Sequence, residues 1–424
     1  MIGRIMVAGG GTGGHLFPGL AVVEELRRRV PGLEVKFVGT ARGIEARILP
    51  GRGEALELLK VTPLKGQGIG ARFKSFARIP TAMKEAAALM RDFDPDLVLG
   101  VGGYASGPVL LAASLSGRPT ALLEQNAYVG MTNRILARFV DRAYIAFEQT
   151  EEVFGARKSR LTGNPVRQEF VEHARLALAD PEGFESRART VLVLGGSQGA
   201  RKLNQDLPRA LARAGVADRR LEVVHQTGEA MREEVEAIYR ELGIRARVVT
   251  FIDEIARAYA SAALVVARAG ATTLAELCAI GRPSILIPFP FAADDHQAKN
   301  AEALEGQGAS ICVRESELEV DRLAALIAGL LDDPTKRQAM ARAAREHGRP
   351  DAAAAIVDDM MGWIGGVDPS GESTPAPEID PPSGMHYSGL AMAPTLRLGG
   401  PEVALRAAAH RPRRPVVVDG AVWE

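Results

Sequence analysis

The sequence predicts an α/β protein built from two doubly wound, Rossmann-like parallel-sheet domains. Short apolar runs alternate with helical patterns, about 25 to 35 residues apart, which is typical of right-handed βαβ units. A glycine-rich loop follows the first apolar run, and another follows the run that restarts the alternation near residue 190. The length of 424 residues is sufficient for two or three domains.

The predicted strands fall into two series. In the first series they cover residues 4–8, 34–39, 96–103, 119–125 and 142–147. In the second series they cover residues 190–196, 221–228, 247–252, 263–268 and 283–289. Helices from about residue 316 to 364 complete the folded part. We therefore expect a first domain over residues 1–163 and a second over 164–366, with the last helix packing back on the first domain.

Composition favours a cytoplasmic protein with no nucleic-acid partner. Basic and acidic residues number 52 each, so no overall field attracts a polyanion. No apolar window approaches the roughly 18 residues of a membrane span. This pattern does not exclude contact with a membrane surface. Cys278 and Cys312 lie in apolar surroundings, which favours buried thiols over a disulfide. Residues 367–424 hold nine of the 25 prolines and predict a disordered tail.

The loop "GGGTGGHLFPG" after the first strand predicts an anion site, because backbone N–H groups and a helix N-terminus attract negative charge. Gly9, Gly11 and Gly14 also fit the dinucleotide pattern G-x-G-x-x-G. That alternative needs an acidic residue at the end of the second strand, where Gly39 and Thr40 stand instead. Glu45 comes later, in the following helix.

His15 follows the last glycine of that loop, in the expected first turn of the helix. An imidazole there can act as a general base near neutral pH. A purely structural hydrogen-bonding role is equally compatible with the sequence.

Glu276 lies one turn inside a helix that begins with small residues, in "RAGATTLAELCAIGRP". A carboxylate there can accept hydrogen bonds from both hydroxyls of a ribose. The alternative is a solvated helix residue.

Two further patterns have both a functional and a structural interpretation. Asp92, Asp94 and Asp96 form an Asp-x-Asp pattern that can hold a divalent cation, but Pro95 within it favours a turn. The segment 60–84 has six basic residues, no acidic residue and nearly helical apolar spacing. It can lie on anionic lipid, or it can be a core helix with solvated basic residues.

Six motifs occur in order: "GGGTGGHLFPGLAV", "GVGGYASGP", "EQNAYVGMTNR", "TGNPVR", "LGGSQGARKLN" and "PFPFAADDHQAKNA". With them the chain resembles the MurG family of bacterial N-acetylglucosaminyltransferases over roughly residues 3–360. The resemblance implies a GT-B fold, with two Rossmann-like domains facing across a cleft. The first domain would face the membrane and the acceptor, and the second would bind UDP-GlcNAc.

The resemblance also implies a reaction. GlcNAc would pass from UDP-GlcNAc to the 4-hydroxyl of lipid I (undecaprenyl-pyrophosphoryl-MurNAc-pentapeptide), giving lipid II for peptidoglycan synthesis. The reaction would proceed with inversion and without a metal or cofactor. The enzyme would be a peripheral protein on the cytoplasmic face of the inner membrane, on an anionic surface and among other cell-wall synthesis proteins.

From its position beside the first glycine-rich loop, we expect His15 to be the general base or to orient the acceptor, a role that the resemblance does not itself assign. The resemblance does imply roles for the other residues. Glu276 would hold the ribose, and Arg167 and Ser197 the diphosphate. The backbone of Ile252 would contact uracil, and Asn126 and Gln297 the donor sugar. The full set of implied binding residues is Thr12, Gly13, Gly14, Asn126, Arg167, Ser197, Ile252, Ala271, Thr272, Thr273, Glu276 and Gln297.

Three other functions remain open at this point. An oxidoreductase would need the acidic residue that is missing after the second strand. A non-catalytic sugar-nucleotide sensor would bind the donor without releasing UDP. A related GT-B transferase would act on another lipid acceptor, such as diacylglycerol.

Overall fold

The computed structural model describes residues 2–59, 79–195 and 200–366. The strands of the first sheet are β1 (Arg4–Gly9), β2 (Glu34–Gly39), β3 (Leu56–Leu58), β4 (Leu97–Gly102), β5 (Thr120–Glu124), β6 (Arg142–Ile145) and β7 (Ser159–Leu161). The strands of the second sheet are β8 (Thr190–Leu194), β9 (Glu222–Gln226), β10 (Ala246–Val249), β11 (Ala262–Ala267), β12 (Ser284–Leu286) and β13 (Ile311–Cys312).

Helices connect these strands. Those around the first sheet are Gly13–Arg29, Glu45–Gly51, Ile79–Phe93, Ser106–Leu115, Met131–Leu136 and Glu151–Phe154. Those around the second sheet are Gln168–Ala179, Pro181–Ser186, Arg201–Arg213, Arg232–Glu241, Ile255–Ala260, Ala271–Ile280, His296–Glu305, Val320–Asp332 and Pro334–His347. The helix Ala352–Ile364 follows them, and short 3₁₀ turns lie at Glu148–Thr150, Glu229–Met231, Ala293–Asp295 and Glu315–Glu317.

Both sheets are parallel and doubly wound. Within the described residues the strand orders are β3-β2-β1-β4-β5-β6-β7 and β10-β9-β8-β11-β12-β13. Every residue of the central strands β4 and β11 is buried, as expected for parallel strands covered by helices on both faces. The predicted pair of Rossmann-like domains is therefore confirmed. The short edge strands β3, β7 and β13 were not predicted.

The strand order also locates the two crevices. In an open parallel sheet, ligands bind at the carboxyl ends of the strands where the order reverses. This point lies between β1 and β4 in the first sheet and between β8 and β11 in the second. The loop 10–12 opens the first crevice, and the segment 268–270 opens the second.

We call the part of the protein around the first sheet the first lobe and the part around the second sheet the second lobe. The last helix, Ala352–Ile364, packs on the first lobe. Ile356, Val357 and Met360 belong to the apolar core around β1 and β4. The buried Asp359 carboxylate accepts hydrogen bonds from Tyr144 Oη at 2.9 Å and Arg160 Nε at 3.1 Å. Through these contacts the last helix packs on the first lobe. The domain limits at residues 163 and 366 stay predictions.

Several sequence predictions concern residues outside the described ranges. They are the tail 367–424, Ser197 and most of the basic segment 60–84. In the part of the chain that the structure describes, no helix is long and apolar enough to span a membrane.

We expect Asp359→Ala to lower the free energy of unfolding by about 3 kcal/mol, because it leaves buried hydrogen-bonding groups without their anion. The matched control is Asp358→Ala on the same helix, since Asp358 is exposed and pairs with Arg29 at the surface. The control should cost less than about 1 kcal/mol. Urea denaturation measures the free energy of unfolding of both variants. Equal losses would contradict a stabilising role for the buried contacts of Asp359.

Candidate functional site

Glu45 shapes the first glycine loop. Its carboxylate is buried and accepts hydrogen bonds from the Gly11 N–H at 2.7 Å and the Thr40 N–H at 2.9 Å. A Cβ placed on Gly10, Gly39 or Gly43 would come within 2.5 Å of the Glu45 side chain. These glycines therefore make room for an internal carboxylate. Sequence reasoning missed this role, for which the cluster of glycines around a lone acid was the only available signal.

His15 lies in the first turn of the helix Gly13–Arg29, beside the turn that follows β4. Its Nδ1 is 3.3 Å from Gln125 Oε1. Gly102 has a φ of +97°, and a Cβ there would be 2.6 Å from the same nitrogen. Burial lowers the pKa of the His15 imidazole below its ordinary value, and the Gln125 hydrogen bond opposes that shift. The neutral ring can accept a proton at pH 7.

Glu276 is buried, with 7% of its surface exposed, so the alternative of a solvated helix residue is wrong. Arg167 Nη2 donates to Glu276 Oε1 at 3.1 Å. Burial raises the pKa of the Glu276 carboxyl to about 7, and the charge of Arg167 opposes this shift. The two residues predicted to bind different parts of a nucleotide are thus paired with each other.

Arg167 lies at the boundary between the lobes. Its guanidinium packs over Phe17 of the first lobe at 5.3 Å and over Phe170 at 5.1 Å. Its Nη1 lies 3.0 Å from a carboxylate oxygen of Glu169. The buried Nε has no hydrogen-bond partner among the described residues. This donor is suited to an anion entering from the cleft.

The helix Ala271–Ile280 begins directly after β11, at the second crevice. Its N-cap is Gly270, which has no side chain to satisfy the first N–H groups of the helix. The Ala271–Thr273 turn can therefore bind an anion. Thr272 Oγ1 donates to Gly14 O at 3.3 Å, which brings this turn against the loop Thr12–Gly14 of the first lobe.

Asn300 links the lobes a second time. It is fully buried in the helix His296–Glu305, and its Oδ1 accepts the Ala127 N–H at 2.8 Å. Its Nδ2 lies 3.4 Å from both Asn126 Oδ1 and Ala269 O. Sequence reasoning missed Asn300, although an amide on the apolar face of that helix was a usable signal. Asn126 itself is held by Glu124, whose Oε1 accepts its backbone N–H at 3.1 Å.

Three other predicted site residues are not part of the contacts described above. Gln297 Oε1 accepts the Phe289 N–H at 3.0 Å, which ties it to the loop after β12. The side chain of Ile252 is buried in the second-lobe core, so only its backbone is suited to a ligand. Ser197 lies outside the described residues.

The Asp-x-Asp segment serves the fold. Asp96 accepts the N–H groups of Gly3 at 2.7 Å and Arg4 at 2.8 Å. Asp94 pairs with Arg4 and Arg118, and Arg118 holds the pKa of that carboxyl below its ordinary value. Across the described ranges, no group of three or more His, Cys, Asp or Glu side chains could hold a metal ion.

Comparison with known proteins identifies the family. Residues 5–145 match the Glycosyltransferase family 28 N-terminal domain, and residues 190–356 match the Glycosyltransferase family 28 C-terminal domain. The UDP-N-acetylglucosamine--N-acetylmuramyl-(pentapeptide) pyrophosphoryl-undecaprenol N-acetylglucosamine transferase of Geobacter sulfurreducens is 47% identical over 358 residues, covering 84% of this chain and 98% of that protein. The protein of the same name from Sorangium cellulosum is 48% identical over 361 residues, covering 84% and 87%.

This chain belongs to the MurG family, within glycosyltransferase family 28. The crystal structure of Acinetobacter baumannii MurG is similar to it with a TM-score of 0.67 and 32% identity, covering 84% of this chain and 98% of that one. The predicted GT-B fold is thereby confirmed, and as a MurG family member the chain is a glycosyltransferase.

The pKa of Glu276 predicts a pH-dependent stability. Its folded value of about 7 exceeds the ordinary value of 4.5, so the folded state binds this proton more tightly. The associated stability is complete below pH 4.5 and is lost as the pH rises through 7. Between pH 5 and 8, wild type should therefore lose on the order of 2 kcal/mol relative to Glu276→Gln.

Chemical denaturation at both pH values measures this difference. The matched control is Glu169→Gln, because Glu169 also pairs with Arg167 but is partly exposed. The control should keep most of the wild-type pH dependence, because the charge of Glu169 contributes less to the raised pKa of Glu276 than burial does. If the free energy of unfolding changed equally with pH in wild type and Glu276→Gln, Glu276 would have an ordinary pKa.

Proposed function

We propose that this chain transfers GlcNAc from UDP-GlcNAc to the 4-hydroxyl of MurNAc in undecaprenyl-pyrophosphoryl-MurNAc-pentapeptide, forming lipid II for peptidoglycan synthesis. The relatives named for this transfer are matched over nearly their full length. The single structural observation that carries the proposal is the contact between Thr272 and Gly14, which joins the two predicted substrate loops. Transfer requires the two loops to be adjacent, because donor and acceptor must bind in one cavity.

The donor binds at the second lobe by an exchange of partners. The diphosphate accepts hydrogen bonds from the N–H groups of Ala271–Thr273, from Arg167 and from Ser197. Because Arg167 then faces the phosphates, the Glu276 carboxylate becomes available to the ribose hydroxyls. The charge that develops on UDP is balanced by Arg167 and the helix N-terminus, without a metal ion.

The donor is further selected by three contacts. The backbone of Ile252 contacts uracil, and Asn126 and Gln297 hydrogen-bond the GlcNAc hydroxyls. Asn126 belongs to the first lobe, yet its amide reaches the second lobe through Asn300. Sugar recognition therefore depends on the two lobes being together.

The acceptor binds at the first lobe. Its diphosphate lies against the loop Thr12–Gly14, and the MurNAc 4-hydroxyl faces His15. As His15 takes the hydroxyl proton, the oxygen attacks the anomeric carbon. The bond from that carbon to the phosphate oxygen breaks, and UDP leaves with the bonding electrons, so the configuration inverts. The acceptor lobe comprises residues 1–163 and the donor lobe residues 164–366.

The enzyme acts at the cytoplasmic face of the inner membrane, as a peripheral protein beside other cell-wall synthesis proteins. An apolar stripe supports contact with anionic lipid: Met131, Ile135 and Phe139 are 66%, 61% and 40% exposed at four-residue spacing. The exposed Arg134 and Arg138 alternate with them. Such a basic, apolar face matches an anionic membrane surface.

We expect Ile135→Ser with Phe139→Ser to reduce binding to phosphatidylglycerol-containing vesicles about tenfold or more, since two apolar side chains lose their burial in lipid. The control pair is Leu176→Ser with Leu178→Ser, two exposed leucines on the second lobe. Co-sedimentation measures both pairs. Equal binding by the stripe variant and wild type would contradict this surface.

Radiolabelled UDP-GlcNAc with a short-chain lipid I analogue tests the reaction. We expect one UDP released for each labelled product. Binding without UDP release would indicate a sensor, and turnover only with diacylglycerol would indicate another acceptor. In the same assay, His15→Gln should lower kcat about 10²- to 10⁴-fold while UDP-GlcNAc still binds. Near-normal turnover by that variant would remove His15 from the base role.

A further inference from the structure

We propose that Gln125 is a positioning residue that fixes the tautomer of His15. It holds the imidazole proton on Nδ1 and leaves Nε2 as the atom that accepts the proton of the acceptor hydroxyl. The catalytic part of this inference rests on the proposed role of His15. The tautomer itself is a property of the ligand-free protein.

The orientation of the Gln125 amide follows from its other neighbour. Gln125 is buried, with 2% of its surface exposed, and its Nε2 donates to Val101 O at 2.8 Å. A main-chain carbonyl can only accept, so the NH₂ group must face Val101. The amide oxygen of Gln125 is thereby directed at the imidazole.

The tautomer of His15 then follows from that orientation. Its Nδ1 lies 3.3 Å from Gln125 Oε1, which has no proton to donate. Nδ1 therefore carries the hydrogen of this hydrogen bond. A neutral imidazole has a single N–H, so Nε2 keeps its lone pair.

The first sheet holds these groups in register. β1, β4 and β5 are neighbours, and their carboxyl ends lead to His15, Gly102 and Gln125 respectively. Gly102 leaves no room for a side chain between β4 and the imidazole, because a Cβ there would lie 2.6 Å from Nδ1. The ring nitrogen Nδ1 thus lies against both the backbone at the end of β4 and the buried amide of Gln125.

A neutral amide has a different consequence from a carboxylate in this position. A carboxylate would stabilise the imidazolium and raise its pKa, whereas an amide orients the ring with a smaller effect. The charged groups that act on His15 through space are His296, which lowers its pKa, and Glu45, which raises it. His15 thus stays neutral and correctly oriented at pH 7.

Two substitutions separate orientation from packing. Gln125→Met keeps the volume but removes the acceptor, and we expect kcat to fall about tenfold or more. The KM for UDP-GlcNAc should stay within about twofold, because the donor lobe is untouched. Gln125→Glu restores an acceptor oxygen towards His15 but loses the N–H group that faces Val101. It should therefore recover part of kcat and move the acid limb of the kcat profile to higher pH. A loss of kcat in both variants without a shift of that limb would overturn the proposal.

Nitrogen-15 NMR of the histidine-labelled full chain tests the tautomer directly, without substrate. The His15 resonances are assigned by their absence in His15→Gln. We expect the proton on Nδ1 in wild type and a mixture of tautomers in Gln125→Met. A proton on Nε2 in wild type, or an unchanged tautomer in Gln125→Met, would overturn the inference. Full turnover by His15→Gln would instead refute the catalytic role while the tautomer assignment stands.

Discussion

A buried carboxylate at the boundary between two lobes constrains the rest of this site. Glu276 lies inside the protein, where an unpaired charge is costly, and it is held by Arg167. Arg167 in turn packs against Phe17 of the opposite lobe. The pair is buried, but Arg167 Nε has no hydrogen-bond partner among the described residues. A ligand that offers phosphate to Arg167 and hydroxyls to Glu276 can therefore replace the contact between these two side chains.

The two sheets have nearly the same strand order but present different chemistry at their crevices. The second lobe offers a bare helix N-terminus beside the carboxylate, which suits a sugar nucleotide. In the first lobe, Glu45 accepts hydrogen bonds inside the corresponding loop, and His15 beside it is the residue that we propose as the general base. Thr272 and Asn300 then bring the two crevices together.

Much of the fold could be predicted from sequence, because buried central strands such as β4 and β11 are long apolar runs. The edge strands β3, β7 and β13 have only two or three residues and no such pattern. The positions of His15 and Glu276 could also be predicted, since each begins or follows a recognisable loop. Their partners could not: Arg167 and Glu276 are separated by 109 residues, and His15 and Gln125 by 110.

The exchange of partners at Glu276 is the central claim, and calorimetry of UDP-GlcNAc binding between pH 6 and 8 tests it most directly. With a pKa of about 7 in the free protein, the carboxylate that the ribose hydroxyls require forms only as the pH rises through this interval. The affinity of wild type should therefore increase up to about tenfold, whereas Glu276→Gln should bind weakly with little change. An affinity that is independent of pH in wild type, or that rises equally in Glu276→Gln, would contradict the account.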